Sequence, residues 1–121
     1  MPEHLDLGRQ GEAWAATFLT EKGYAILHAN WRYRKAEVDL IALKDNTLVF
    51  VEVKTRASSR FGSPEMFVNK RKQRFLASAA SAFSEELGHR GDIRFDIIGI
   101  LVLDGMPQIN HVPDAFFPGL F

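Results

Sequence analysis

Near the start of the chain Leu7, Gly11, Trp14, Ala15, Phe18 and Leu19 recur at helical spacing, with polar residues between them. That period predicts an amphipathic helix over residues 7 to 22, capped by Asp6 and stopped by Gly23. At 3.6 residues per turn Glu12 lies roughly 100° from the centre of the apolar stripe, on its flank, where it can reach a site beside a sheet. Tyr24 to Tyr33 is aromatic and partly β-branched and reads as a first strand. Two more strands follow within Glu37 to Arg56, joined by a tight Asp45-Asn46 turn, since both residue types tolerate positive φ. The Ser- and Gly-rich stretch Ala57 to Pro64 has the chemistry of a loop. A second helix is predicted over Lys70 to Leu87, with Asn69 as N-cap, Phe75, Leu76, Ala79, Phe83 and Leu87 as its buried stripe, and Gly88 as its stop. Arg94 to Leu103 is apolar enough for a strand covered on both faces. Asp104-Gly105 then makes a turn into a short return strand, Gln108 to Val112, before an apolar tail of Phe116, Phe117, Leu120 and Phe121.

The hairpin has a consequence beyond its shape. With Asp45 and Asn46 as turn residues, Lys44 pairs with Thr47, so Asp39 falls opposite Glu52 and Glu37 opposite Lys54. Strict alternation puts Glu37, Asp39, Ile41 and Leu43 on one face with Leu48, Phe50, Glu52 and Lys54. Like charges directly opposed on neighbouring strands destabilise the pair, so two carboxylates in this position call for a cation. In this register Glu37 would hold Lys54.

Composition bounds the rest. The 121 residues are 46% hydrophobic and 25% charged, which suits one globular domain spanning residues 1–121. No apolar run approaches the roughly 18 residues that cross a bilayer. The opening Met-Pro-Glu-His-Leu-Asp lacks the basic and apolar regions of a secretory signal, so a cytoplasmic protein without membrane contact is expected. With no cysteine, disulfides, thiolate metal sites and a cysteine nucleophile are excluded. The formal charge is zero, yet between residues 54 and 74 seven basic residues face one acid, Glu65. Arg32, Arg34 and Lys35 form a second basic cluster, and beyond Glu85 acids prevail. One basic side is therefore expected.

Asp39 and Glu52 offer hard oxygen ligands for Mg²⁺ (or Mn²⁺), which commonly takes one or two protein carboxylates, waters and phosphate oxygens. The Val53 carbonyl is a further candidate ligand. Lys54 can stabilise charge building on a phosphate, or orient the attacking water. The competing reading of these residues is a solvated ladder of charges at a sheet end. Against it, an acid and a lysine are rarely set into a run as apolar as Val49 to Val53 without partners. Arg9, Arg32, Arg34, Lys35, Arg56, Arg60, Lys70, Arg71, Lys72 and Arg74 can bind a phosphate backbone, with Gln73 beside them, while Trp31, Tyr33 and Phe61 can stack on bases. Alternatively the basic face is merely solvated and the aromatics belong to the core. His4, His28, His89 and His111 show no ligand spacing and read as surface or packing residues. Asp96, inside an apolar strand, reads as structural, bonded to Arg94 or a loop.

Ala36-Glu37-Val38-Asp39-Leu40-Ile41, followed by Leu48-Val49-Phe50-Val51-Glu52-Val53-Lys54-Thr55-Arg56, resembles the signature of the YraN-like family of bacterial proteins. Gly8-Arg9-Gln10-Gly11-Glu12-Ala13, Asn30-Trp31-Arg32, Lys70-Arg71-Lys72-Gln73, Arg94-Phe95-Asp96 and His111-Val112 extend the resemblance over nearly the whole chain. That family is similar to the restriction-endonuclease-like, PD-(D/E)XK nucleases and to archaeal Holliday-junction resolvases. The resemblance implies an α/β fold with a three-layer core, a central mixed β-sheet flanked by helices in the order αβββαβ. It also implies a Mg²⁺-dependent endonuclease acting on DNA, with branched or repair and recombination intermediates as candidate substrates. By this likeness Asp39, Glu52 and Lys54 match the nuclease motif, and Glu12 matches a first-helix glutamate that joins the metal site in resolvases. Two positions depart from the pattern: Val38 stands where the motif has proline, and Ala36 where glycine is expected. The alternative is a catalytically silent nucleic-acid-binding module of the same fold. A third reading, a structural adaptor, would use the apolar tail for pairing, and resolvase-like proteins often act as homodimers.

Overall fold

The computed structural model describes residues 3–57 and 64–118. Its elements are α1 (Glu3–Glu21), β1 (Ala25–Tyr33), β2 (Ala36–Lys44), β3 (Thr47–Arg56), α2 (Lys70–Leu87), β4 (Asp92–Leu103) and β5 (Met106–Val112). The strands form one sheet in the order β1-β2-β3-β4-β5. Only β3 and β4 run parallel, because α2 carries the chain back between them; the remaining neighbours are antiparallel. The order implied by the resemblance is present, and the return strand expected over Gln108 to Val112 is β5, at the edge of the sheet. Pro107 is tolerated in that edge strand because it has no amide to give a further neighbour.

Each helix covers one face of the sheet. Leu76, Ala79 and Ala80 of α2 pack on Val38, Ile41, Leu48, Phe50, Phe95 and Ile97. Ala15 and Leu19 of α1 pack on Leu40, Ala42, Val49, Val51, Ile98 and Ile100. Phe95 to Ile100 of β4 is buried without interruption, as a strand lying between two helical layers must be.

α2 matches its sequence signals. The Asn69 side chain accepts the Lys72 amide at 2.8 Å, and Gly88 leaves the helix at φ 72°. α1 begins earlier than its periodicity suggested: the helix starts at Glu3, so Asp6 lies inside it and is not the cap. Its end is as expected, with Gly23 at φ 93°. Asp45 and Asn46 have φ of 49° and 63°, as a two-residue hairpin turn between twisted strands requires.

The buried positions of β2 do not alternate strictly. Ile41 shares the α2-side core with Val38 and Ala36, whereas Leu40 and Ala42 face α1. The alternation therefore changes phase at Asp39. β1 changes with it, since Asn30 is left-handed at φ 53° and stands between the pairs Ala29↔Leu40 and Trp31↔Val38.

Candidate functional site

The hairpin register follows the expected steps from Lys44↔Thr47 to Leu40↔Val51, and the ladder stops there. Asp39, next in step, uses its side chain in place of main-chain pairing: Oδ2 accepts the Val53 amide at 2.7 Å. An acceptor for a neighbouring strand's amide lies at the level of the sheet, not above it. The two strands part around Asp39, and Glu52 points from β3 toward the α2 side. The face expected to carry Glu37, Asp39, Glu52 and Lys54 together is thus corrected. Val38 and Ala36 fill the core there because the phase change turns Glu37 away.

The ion pairs change accordingly. Glu37 does not hold Lys54; Arg32, its partner across β1 and β2, bonds Oε2 at 3.0 Å. Lys54 Nζ lies 5.8 Å from the centre of the Phe67 ring. The cation on Glu52 is Lys72, from the first turn of α2, whose Nζ donates to Oε1. Lys72, expected among the phosphate-binding groups, is here paired with the Glu52 carboxylate, which is only 9% exposed.

Glu12 arrives from the opposite layer. Gly11 lets α1 approach β3 closely, for a Cβ there would collide with the Thr55 side chain. That contact sets Glu12 at this end of the sheet, where Asn30 Nδ2 donates to its Oε1 at 3.0 Å. Sequence reasoning missed Asn30; its one signal was a residue type that tolerates left-handed backbone inside a strand pattern. With Glu12 on the α1 side and Glu52 on the α2 side, Asp39 stands between two carboxylates. Among the described residues no three acids or histidines are grouped closely enough to hold a metal ion between them.

Burial, then the Glu52 charge, raises the Asp39 pKa to about 7 from an ordinary 3.8. The Glu12 charge adds to the rise, while the Val53 amide and the Lys72 ammonium oppose it. The site thus has an excess of negative charge that one lysine only partly offsets.

Other expected site residues fall into two groups. Arg9, Arg34, Lys35, Lys70, Arg71 and Arg74 are exposed, and Arg56 is half-buried at the end of β3. Arg34 and Lys35 form the β1–β2 turn and border the same hollow as Phe75 and Ser78 of α2. Gln73 is committed to the protein, its Nε2 donating to the Val68 carbonyl at 2.7 Å ahead of α2. Trp31 and Tyr33 are partly buried and pack against the α2-side core. Their rings stack on each other at 6.0 Å, and Trp31 meets Phe83 of α2 edge-on at 5.1 Å. Arg60 and Phe61 lie outside the described residues, as do Leu120 and Phe121. Phe116 stacks on Phe95 at 5.2 Å, so this part of the tail packs on the core.

A second polar cluster lies on the α1 side of β4. Asp96, fully buried, accepts from Arg94 Nε and Nη2 at 2.9 Å each, from the Asp114 amide at 3.0 Å, and bonds His111 Nε2 at 2.7 Å. Arg94 Nη2 also donates to the Tyr24 hydroxyl at 2.7 Å. Burial pushes Asp96 up, but the bonds from His111, Arg94 and Asp114 outweigh it and hold the carboxyl below its ordinary value. Asp96 is structural, as expected, with His111 as a partner that spacing alone did not reveal. No described helix is long and apolar enough to cross a membrane.

Residues 11–100 match the family described as "Uncharacterised protein family UPF0102". The chain is similar to a UPF0102 protein of Christiangramia forsetii, 44% identical over 117 residues, covering 97% of this chain and 98% of the relative. A UPF0102 protein of Bacteroides thetaiotaomicron is 42% identical over 121 residues and all of both chains. One of Chlorobium chlorochromatii is 48% identical over 119 residues, 93% of this chain and 92% of the relative. An end-to-end likeness at this level, carried on the same strands that place Asp39 and Glu52, makes the chain a member of the UPF0102, or YraN-like, family.

Proposed function

We propose that the protein is a Mg²⁺- or Mn²⁺-dependent nuclease that hydrolyses phosphodiester bonds in DNA, with branched or repair intermediates as its substrates. The observation that carries this reading is the Asp39–Glu52 pair. Two carboxylates meet where β2 and β3 part, one with its pKa raised by burial and by the other. Such a donor set suits a hard cation that completes its shell with water and phosphate oxygens. Asp39 and Glu52 would hold the ion, with the Val53 carbonyl as a further ligand and Glu12 assisting from α1. When bound, the cation supplies Lewis-acid polarisation of the phosphate and lowers the pKa of the attacking water.

The protein's own groups do the rest. Asp39 must give up its proton before it can ligate, so binding weakens as pH falls below about 7. Lys54, two residues beyond Glu52, leaves the Phe67 ring to meet the scissile phosphate and stabilise its growing charge. Arg34, Lys35, Arg56, Lys70, Arg71 and Arg74 position the backbone of the nucleic acid.

Purified protein should cleave DNA with Mg²⁺ or Mn²⁺, and Asp39→Ala and Lys54→Ala should each lower the rate by at least a hundredfold. Absence of cleavage on linear, single-stranded and branched DNA with either metal would sink the enzyme reading. The alternative is a silent nucleic-acid-binding module, favoured by the occupation of Glu52 by Lys72. DNA binding with no Mn²⁺ heat in calorimetry would establish that alternative.

A further inference from the structure

Lys72 is held in an unusual place. Its amide caps onto Asn69 Oδ1 at 2.8 Å, and Gln73 pins Val68, so the start of α2 is anchored over β3. The first turn contains Lys70, Arg71 and Lys72 and no acid. Cations there oppose the helix dipole, so Lys72 gains nothing from its own helix. Among the described residues its direct ion pair is with Glu52, and its charge also acts on Asp39. The pair is asymmetric: the Glu52 side chain is 9% exposed and Lys72 45%. The acid is embedded and needs a cation, while the lysine is half in water and can leave at little cost.

We propose that the Lys72 ammonium is a resident counter-ion that exchanges with the divalent cation. It neutralises Glu52 in the metal-free protein, and it is released toward the incoming phosphate when metal takes the carboxylate. This rests on the nuclease reading of Asp39 and Glu52. The ammonium sits on Oε1 of an embedded carboxylate, and a divalent ion entering there competes with it for the same negative charge, so metal entry displaces Lys72. The released side chain starts from the α2 turn that already carries Lys70 and Arg71. A second mobile cation thereby joins the substrate path only after the metal is in place, and the empty site is kept from trapping other cations.

The test is Mn²⁺ titration of the full chain by calorimetry, in wild type, Lys72→Met and Glu52→Gln. Removing the competing ammonium should tighten Mn²⁺ binding at least fivefold in Lys72→Met with unchanged stoichiometry. In wild type, the Lys72 Nζ signal in NMR, assigned through Lys72→Arg, should be protected without metal and lost to solvent exchange when Mg²⁺ is added. The NMR arm needs no substitution in the measured protein, so it stands even if Lys72→Met misfolds. An unchanged or weaker Mn²⁺ affinity in a folded Lys72→Met protein overturns the exchange. So does an Nζ signal indifferent to a Mg²⁺ ion that binds. If wild type binds no Mn²⁺, or Glu52→Gln binds it equally well, the nuclease reading fails and the exchange with it. Binding lost in Glu52→Gln but unchanged in Lys72→Met removes the exchange alone.

Discussion

Asp39 concentrates the chemistry of this protein in one side chain. Its carboxylate does a backbone's work by accepting the Val53 amide, and it does so beside two other acids. Burial and the Glu52 charge lift its pKa to about 7 in the folded chain, against 3.8 ordinarily. An acid whose folded pKa is raised binds more protons folded than unfolded in the interval between those values. Its contribution to stability is therefore complete below pH about 4 and is lost as pH rises through about 7. Without divalent metal, the melting temperature should fall across that window in wild type and fall much less in Asp39→Asn. A wild-type profile that rises across the same window would contradict the assignment. Asn30 is the matching surprise, since its left-handed backbone turns the sheet's alternation exactly one residue out of phase where Asp39 needs room.

At the scale of elements, β4 and β5 are joined by a clamp as well as by a ladder. Asp96 receives Arg94, His111 and the Asp114 amide, which ties the segment after β5 back to the middle of β4. The Ala115 amide adds a bond to the Phe95 carbonyl at 2.8 Å, and Phe116 stacks on Phe95. Breaking a buried ion pair by removing one partner costs about 3–5 kcal/mol, because the other charge stays buried without compensation. Asp96→Ala should lose stability of that order in urea denaturation, and Glu86→Ala, on the exposed last turn of α2, should lose almost none. Because hydrogen bonds hold Asp96 below its ordinary pKa, the wild-type clamp should hold above pH about 4 and fail only as the carboxylate protonates at lower pH. Equal, small losses in both variants would show that the clamp adds little.

Over the whole molecule, a group of basic residues gathers at one end of the strand axis. The β1–β2 turn with Arg34 and Lys35, the end of β3 with Lys54 and Arg56, and the start of α2 with Lys70, Arg71 and Arg74 meet at the end where Asp39 and Glu52 lie. Glu85 and Glu86 close α2 at the other end, near Asp92 at the start of β4. An open groove of about 450 Å³ also lies at that far end, lined by Ser84, Ile93, Phe95 and Phe117, with no acid of the candidate site in its wall. Nucleic acid should therefore meet only the basic end. Each phosphate contact removed lowers the dependence of log affinity on log salt by about 1. Anisotropy with a labelled branched oligonucleotide should give a slope smaller by about 2 in the Arg34→Ala, Lys35→Ala double variant, and an unchanged slope in Glu85→Gln, Glu86→Gln. A slope untouched by the first pair would exclude that turn from the interface.

Local signals were sufficient wherever one residue type answers one backbone need. The Asp45-Asn46 turn, the Asn69 cap, the Gly23 and Gly88 stops and the apolar stripes of both helices could be read directly, and with them the layer order and hairpin register. The likeness of motifs along the chain likewise pointed to the right family. Contacts between distant segments were not legible in the same way. Strict alternation could not anticipate a phase change that needs two strands to bend together at Asn30 and Asp39. Nor could spacing say that Glu52 would take Lys72, twenty residues on, in preference to a cation on its own hairpin. The sequence by itself determined the elements, their order and the acids available. Tertiary structure decided which charges meet, because electrostatic pairing in a folded chain depends on distance and burial, which only the packing of α1 and α2 on opposite faces supplies.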